Sequence, residues 1–417
     1  MSVLVVGNGG REHALAWAIR KNARVARLAV APGNAGTAEI AENLPVAPTD
    51  VAGMVQAARA WKADFVVVGP DAALGAGMVD ALEAEGIPVF GPTRAAAQIE
   101  TSKRFAKEVM AAAEVPTARW RTFADLEEAR RYVRQVGAPL VVKADGLAAG
   151  KGVAVCETLE EVERALVDNL ERRVFGAASQ SVVIEEKLTG REVSLFALVD
   201  GKRAVPLAAA CDYKRVGEGD TGPNTGGMGA YTPPEFFTSF DIATVMETIV
   251  QPVVDELCRR GTPFRGTLYA GLMVTDSGPK VLEFNARFGD PETEAIVPCL
   301  DVDLFDLLYA TATEGLAGIR FPPSTKAAVS VALAAERYPG TPVVGDEITI
   351  GPLPAGVVVF HAGTRRVDSR LVTDGGRVLH VVGTGGSVAA ARERAYEGVQ
   401  AIQFRGMHYR RDIALGG

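Results

Sequence analysis

The chain has 417 residues, 48% of them hydrophobic, with 44 Lys+Arg against 51 Asp+Glu and a formal net charge of −7. At roughly 150 residues per domain this suggests about three domains, and 45 Gly with 23 Pro fall short of the ~25–30% typical of low-complexity chains. The acidic balance argues against a dedicated nucleic-acid binder. Any anionic substrate must therefore meet cations gathered locally, and with 11 Lys against 33 Arg each motif lysine is informative.

Met1 leads at once into the strand-like Val3–Val6, which predicts no signal peptide. The uncharged stretch Ile348–Thr364 carries two prolines and three glycines and is too short to cross a membrane reliably. Cys156, Cys211, Cys258 and Cys299 lie far apart, as expected of unpaired core thiols in a reducing cytoplasm, and four scattered histidines suggest no zinc site.

Over the first hundred residues apolar runs alternate with helical ones. Val3–Val6, Leu28–Ala31, Phe65–Val68 and Ile87–Phe90 read as strands, and Arg11–Lys21 and Val51–Trp61 as helices. This rhythm predicts a parallel, doubly wound sheet. A second strand-rich region follows Glu114-Val115-Pro116, with Leu140–Lys143, Val153–Cys156, Val182–Glu185 and Val193–Leu198. A third begins near Pro322-Pro323-Ser324, with strands Ala327–Leu333, Val357–Phe360 and Val378–Val382 and a helix Val388–Gln403. The expected class is α/β, α+β in the later parts, in two or three lobes.

Gly7-Asn8-Gly9-Gly10-Arg11-Glu12-His13 sits between strand and helix, where backbone N–H groups and the helix end suit an anion. It is not a dinucleotide fingerprint: Glu12 stands at the third glycine position, and no acid follows the second strand, which ends Val30-Ala31-Pro32. Glu12 could instead hold a substrate hydroxyl, and a purely geometric turn stays open. Lys143-Ala144-Asp145-Gly146 through Gly150-Lys151-Gly152 differs from a P-loop in spacing and in being flanked by two strands. Such a hairpin tip can fold over phosphates, with Lys143 at a strand end within reach of them, although a plain flexible hairpin has the same look.

In Ile184-Glu185-Glu186-Lys187-Leu188 and Arg191-Glu192, extended backbone could read an adenine edge and Glu192 could accept ribose hydroxyls; an edge strand would look alike. From Asp212 and Lys214 to Gly229, six glycines in thirteen residues exclude a stable helix or strand, leaving a disordered loop or one that closes on substrate with its lysine near the phosphates. In Lys280–Glu292 a two-residue period puts Glu283, Asn285 and, if the strand lasts, Arg287 on one face, with Leu282 and Phe284 opposite. Two hard oxygen ligands beside a guanidinium suit Mg2+ on triphosphate oxygens.

The collinear segments VVGNGGREHALA (5–16), APGNAGT (31–37), VGPDAAL (68–74), KADGLAAGKGV (143–153), DTGPNTGGMGAY (220–231), EFNARFGDPE (283–292) and HAGT (361–364) closely resemble the phosphoribosylamine–glycine ligase family of the ATP-grasp superfamily. The resemblance implies an N-terminal Rossmann-like domain (1–101), an ATP-grasp domain (102–325) with a small lid (about 118–190) and a C-terminal domain (326–417). It also implies an ATP-dependent ligase of purine biosynthesis that joins glycine to phosphoribosylamine through glycyl phosphate. ATP is then a co-substrate, with Mg2+ or Mn2+ on Glu283 and Asn285. The ATP site comprises Lys103, Lys143, Gly146, Gly150, Lys151, Gly152, Glu185, Glu186, Leu188, Glu192 and Lys214.

For the other substrates, Arg287 steadies the acyl phosphate beside Lys143, Asp290 takes an amino group, and Asp212 joins this side. Gly9, Gly10, Glu12 and Asp71 flank the ribose at one sheet edge, and Arg365 and Arg377 are the candidate cations for the 5-phosphate. The partners are small molecules, with no nucleic acid or membrane, and the chain is expected to be cytoplasmic and a monomer or weak homo-oligomer. Alternatives are an ATP-grasp ligase using formate or bicarbonate, a nucleotide sensor (opposed by the presence of Lys143, Glu283, Asn285 and Arg287) and a dinucleotide oxidoreductase.

Overall fold

The computed structural model describes residues 1–148, 151–313, 315–319 and 324–416. Pro322 and Pro323 of the expected boundary, and Gly150 of the phosphate loop, lie outside the described residues.

The apolar run after Ser2 forms β1 (Ser2–Gly7), with Val3 to Val6 fully buried. A strand apolar on both faces belongs inside a covered parallel sheet. With β2 (Arg27–Pro32), β3 (Glu42–Asn43), β4 (Phe65–Val68) and β5 (Val89–Phe90) it makes a sheet of order β3-β2-β1-β4-β5, every pairing parallel. Strand order reverses between β1 and β4, so the loops after these two strands border the crevice where such sheets take ligands. Helix α1 (Gly10–Ile19) starts there; the expected helix Val51–Trp61 is capped by Asp50, whose Oδ1 accepts from Gly53 N at 2.9 Å.

A four-stranded sheet comprises β6 (Trp120–Phe123), β7 (Leu140–Ala144), β8 (Val153–Cys156) and β9 (Val182–Glu186), in antiparallel order β6-β9-β7-β8. It has its own core around Val142, Val162, Leu166 and Ile184. Because β7 and β8 pair directly, the loop between them runs strand to strand, unlike a P-loop.

The larger sheet draws on β10 (Arg191–Asp200), β11 (Ala204–Asp212), β14 (Gly229–Thr232), β15 (Arg265–Thr275) and β16 (Gly278–Asn285), while β12 (Arg215–Gly217) and β13 (Thr221–Asn224) form a separate hairpin. The sheet continues through β17 (Ala327–Ala334) into the C-terminal part, which adds β18 (Thr349–Ile350), β19 (Val357–His361), β20 (Thr364–Val367), β21 (Arg370–Thr373), β22 (Arg377–Gly385) and β23 (Ile402–Gln403). Its order is β16-β15-β10-β11-β14-β17-β22-β19. β14 carries the join, pairing β11 on one side and β17 on the other.

Four expectations need correction. The last long helix is Val388–Gln400, and the chain then turns into β23. The glycine-rich segment is not featureless: β12 and β13 pair, and Arg410, 1% exposed, holds the hairpin through Arg215 O and the Asp220 carboxylate. A register shift near Leu282 breaks the alternation in β16, so Val281 and Phe284, not Leu282 and Phe284, face the core. All four cysteines are free, but Cys258 is exposed rather than in the core.

Candidate active site

β16 ends at Asn285, and Arg287 lies just beyond it, its Nη2 3.4 Å from Asn285 Oδ1. Glu283, two residues earlier, has Lys214, Lys103, Lys143 and Arg287 around it. Burial alone would raise its carboxyl, but these four cations outweigh that and hold it below the usual range. Three lysines from separate parts of the chain thus converge with Arg287 on Glu283. An ionised carboxylate beside an amide oxygen fits a hard divalent cation such as Mg2+ or Mn2+.

Lys143 leaves β7 for the interior, its Nζ 2.9 Å from Leu282 O and 3.0 Å from Glu185 Oε2. Glu185 is shared, for Lys107 Nζ sits 3.0 Å from its other oxygen and donates to Thr117 Oγ1 at 2.7 Å. Burial and the neighbouring Lys143 bring Lys107 down to about 8 against the pull of Glu185. On the other flank Lys214 Nζ lies 2.6 Å from Glu192. Burial opposes the Lys214 charge, but Asp212, Glu192 and Glu283 outweigh it and hold the ammonium well above its ordinary range. Desolvation foremost, with the carboxylates of Glu292, Glu192 and Glu283, pushes the half-buried Asp212 up to about 7 despite Lys214.

Past Arg287 the surroundings turn acidic. Arg287 is anchored by Glu100 at 2.9 Å; Glu100, Asp71 and Glu292 raise its basicity against the cost of burial. Asp290 pairs with Arg377 Nη2 at 2.9 Å. Burial would raise Asp290, but Arg377 foremost brings it down to about 2. Gly10 at the start of α1 and Gly9 just before it cover this cluster. A Cβ on Gly10 would lie 2.4 Å from Glu294 Oε1 and 2.8 Å from the His380 ring, so the close approach requires glycine.

Several of the expected residues are already engaged inside the protein. Glu12 is 1% exposed; its carboxylate accepts from Gly9 N at 2.7 Å and pairs with Arg11 at 2.6 Å, so it caps α1 rather than facing a ribose. Glu185 is engaged within its sheet: β6 and β7 flank its backbone on both sides, and two lysines pair with its side chain. The Glu186 carboxylate holds Arg119, and its N–H goes to Arg119 O. Leu188, with Lys187 before it, lies in the unpaired link between β9 and β10, half-buried.

Arg377 is committed to Asp290 and to the carbonyls of Gly226 and Asp290, while Arg365 makes a surface pair with Asp374; the two do not share an anion site. Lys151 reaches Pro339 O at 3.2 Å, across to the C-terminal part. Gly146 packs on Ala178, Gly152 on Ala144 and Ala148, and Asp71 opens the short helix Asp71–Ala76.

Sequence reasoning missed Arg11, Glu100, Lys107, Glu292, Glu294 and His380, all buried. One signal was available: Lys107 falls in Lys103–Ala112 beside Ala106, Val109 and Met110, on the apolar face of that helix. Glu292 accepts from Tyr269 Oη at 2.7 Å, a tie only the folded sheet creates.

Comparison with known proteins agrees with this architecture. Residues 1–100 match the phosphoribosylglycinamide synthetase N domain, 101–293 its ATP-grasp (A) domain and 328–416 its C domain. The chain is 47% identical to a phosphoribosylamine–glycine ligase of Vibrio vulnificus over 99% of its own length and 97% of the relative's. It is also 47% identical to one of Rhizobium meliloti, over 99% and 98%. The crystal structure of phosphoribosylamine–glycine ligase from Thermotoga maritima superposes with a TM-score of 0.88 at 36% identity, covering 99% of this chain and all of that one. A biotin carboxylase domain from Hydrogenobacter thermophilus, solved with MgADP, shares the fold alone, with a TM-score of 0.74 at 17% identity over 98% and 91%. The chain belongs to the phosphoribosylglycinamide synthetase family of ATP-grasp proteins.

Proposed function

We infer that this ATP-dependent ligase joins glycine to 5-phospho-D-ribosylamine, giving glycinamide ribonucleotide, ADP and phosphate, a step of purine biosynthesis. The observation that carries the reading is the convergence of Lys103, Lys143, Lys214 and Arg287 on Glu283. A triphosphate brings several negative charges that need such a gathering.

A carboxylate is a poor electrophile, so the glycine carboxylate first attacks the γ-phosphorus and ADP leaves. The amine of phosphoribosylamine then attacks the acyl carbon of glycyl phosphate, loses a proton and expels phosphate. The residues serve by position. Lys103, Lys143 and Lys214 hold phosphate oxygens, Arg287 faces the charge developing on the transferred group, and the β7–β8 loop with Gly146, Lys151 and Gly152 covers the site against water. Leu188 lines the adenine side, Glu192 takes the ribose of ATP, and Asp290 with Asp212 receives amino groups. Glu283 and Asn285 would hold the divalent ion, Mg2+ or Mn2+, which when bound neutralises phosphate charge.

The match over three successive domains supports the division near residues 101 and 325 and the lid at about 118–190. Among the described residues no helix is long and apolar enough to cross a membrane. A cytoplasmic monomer or weak homo-oligomer is the reading that small polar substrates favour. The test is phosphate release from ATP: it should require both glycine and phosphoribosylamine. Release with formate or bicarbonate in place of glycine would contradict the assignment.

A further inference from the structure

We propose that Asp290 and Glu294 share one proton, and that Glu294 is a positioning residue: a neutral carboxylic acid that hydrogen-bonds the Asp290 carboxylate and holds it in place for the amino group of the acid substrate. This rests on the reading of Asp290 as an amine-binding carboxylate.

Glu294 lies on the helix Glu292–Ile296, four residues after Asp290, and is 0% exposed. Among the described residues no donor reaches either of its oxygens. His380 is equally sealed, its Nε2 3.7 Å from Glu294 and 3.8 Å from Asp290, too far for a hydrogen bond. Gly10 closes the cluster from α1. The partner that remains for Glu294 is the Asp290 carboxyl, and two carboxyl groups can bond only when one keeps its proton.

Charge counting gives the same answer. The ionisable groups facing Glu294 are Asp290 on the preceding loop, Arg377 and His380 on β22, and Arg11 on α1. Arg11 is already paired with Glu12 and His380 is neutral, its buried ring brought down to about 4, so Arg377 is the one cation for two acids. Away from water, two adjacent carboxylates with one counter-charge cannot both ionise. Burial first and Asp290 second push Glu294 far up, while Asp290 remains the ionised member. The proton removes a rival negative charge and fixes Asp290 between Arg377 and Glu294, leaving Oδ2 towards Gly9 at the ligand crevice.

Wild type, Glu294→Gln, Glu294→Ala and Asp290→Asn, each as the full chain, separate the possibilities. Gln keeps a neutral donor, so its KM for glycine should stay within about threefold of wild type, whereas Ala raises it about tenfold or more with KM for ATP unchanged. The thermal midpoint of Glu294→Gln should also gain on wild type as pH rises from 5.5 to 8.5. The wild-type fold must keep a proton that the unfolded chain releases, and Gln has none to keep. Equal damage from Gln and Ala, or a pH-independent stability gap, would overturn the proposal. So would a stoichiometric Mn2+ or Zn2+ ion, bound without ATP, that survives Glu283→Gln and is lost in Glu294→Gln: one ligand atom each of Asp290, Glu294 and His380 lies within 4.8 Å of the others, as a metal site would require. An unchanged glycine KM in Asp290→Asn would defeat the amine-binding reading, and with it the positioning role, even if the pH-dependent stability gap confirmed the shared proton.

Discussion

The two ends of the candidate site are built with opposite charge. Around Glu283 four cations gather, and although Glu185, Glu192 and Asp212 share two of them, the Glu283 carboxylate is held ionised below its ordinary range. Around Arg377, on β22, two carboxyl groups share one guanidinium, and one of them is pushed far up. The first arrangement suits an incoming polyanion, the second an incoming amine. Arg287 follows β16 between Glu283 and Asp290 in the chain, with Glu100 behind it, beside the place where the proposed reading puts the glycine carboxylate.

The sharpest way to break the comparison is at the cation-rich end. Lys143→Met should lower kcat/KM for ATP by about 10³, or ~4 kcal/mol, as expected when a charge contacting transferring phosphate is removed. Near-normal turnover would mean that Lys143 only neutralises Glu185. The next effect concerns the acid-rich end and stability. His380 is buried and neutral in the fold, brought down to about 4, whereas the unfolded chain titrates near 6.5. Between these values the unfolded state binds more protons, so stability should be lost as pH falls from 6.5 towards 4, by up to ~3 kcal/mol from this ring. Urea midpoints across that range should fall less steeply in His380→Gln, and identical slopes would remove the ring from the account.

Glu283→Gln should raise the divalent-ion concentration for half-maximal rate by about 30-fold, ~2 kcal/mol, with glycine KM little changed. An unaltered metal dependence would put the ion elsewhere. The smallest effect belongs to Arg377→Met, about tenfold in glycine KM or ~1.4 kcal/mol, because Glu294 still supports Asp290. An equal loss for ATP would show that the two ends are not separate.

How much of this was legible in the sequence follows the same division. β1, β4 and the helix Val51–Trp61 came out as expected because continuous apolar runs and one Asp cap determine them locally. Lys143, Lys214, Glu283 and Arg287 could be singled out because glycine-rich or alternating surroundings mark charged residues that packing does not require, and the fold gathers the four. Glu12, Glu185 and Arg377 stand in equally suggestive motifs, yet their charges are spent inside the protein on α1, on two lysines and on Asp290. No local pattern distinguishes a carboxylate that faces a ligand from one that faces a buried partner 40 or more residues away. The same holds for Glu294 and His380, whose adjacency depends on β22 joining the central sheet through β17. The break in β16 was also hidden, since a register shift leaves no mark in a run such as Val281-Leu282-Glu283.

The opposition of the two ends is tested most directly by a crossed kinetic measurement: KM for ATP and KM for glycine, each determined for wild type, Lys143→Met and Asp290→Asn under saturating conditions of the other substrates. The account predicts that Lys143→Met raises KM for ATP about tenfold or more and leaves KM for glycine near wild type, with Asp290→Asn doing the reverse. If each variant raised both constants alike, the division into a phosphate end and an amine end would be wrong.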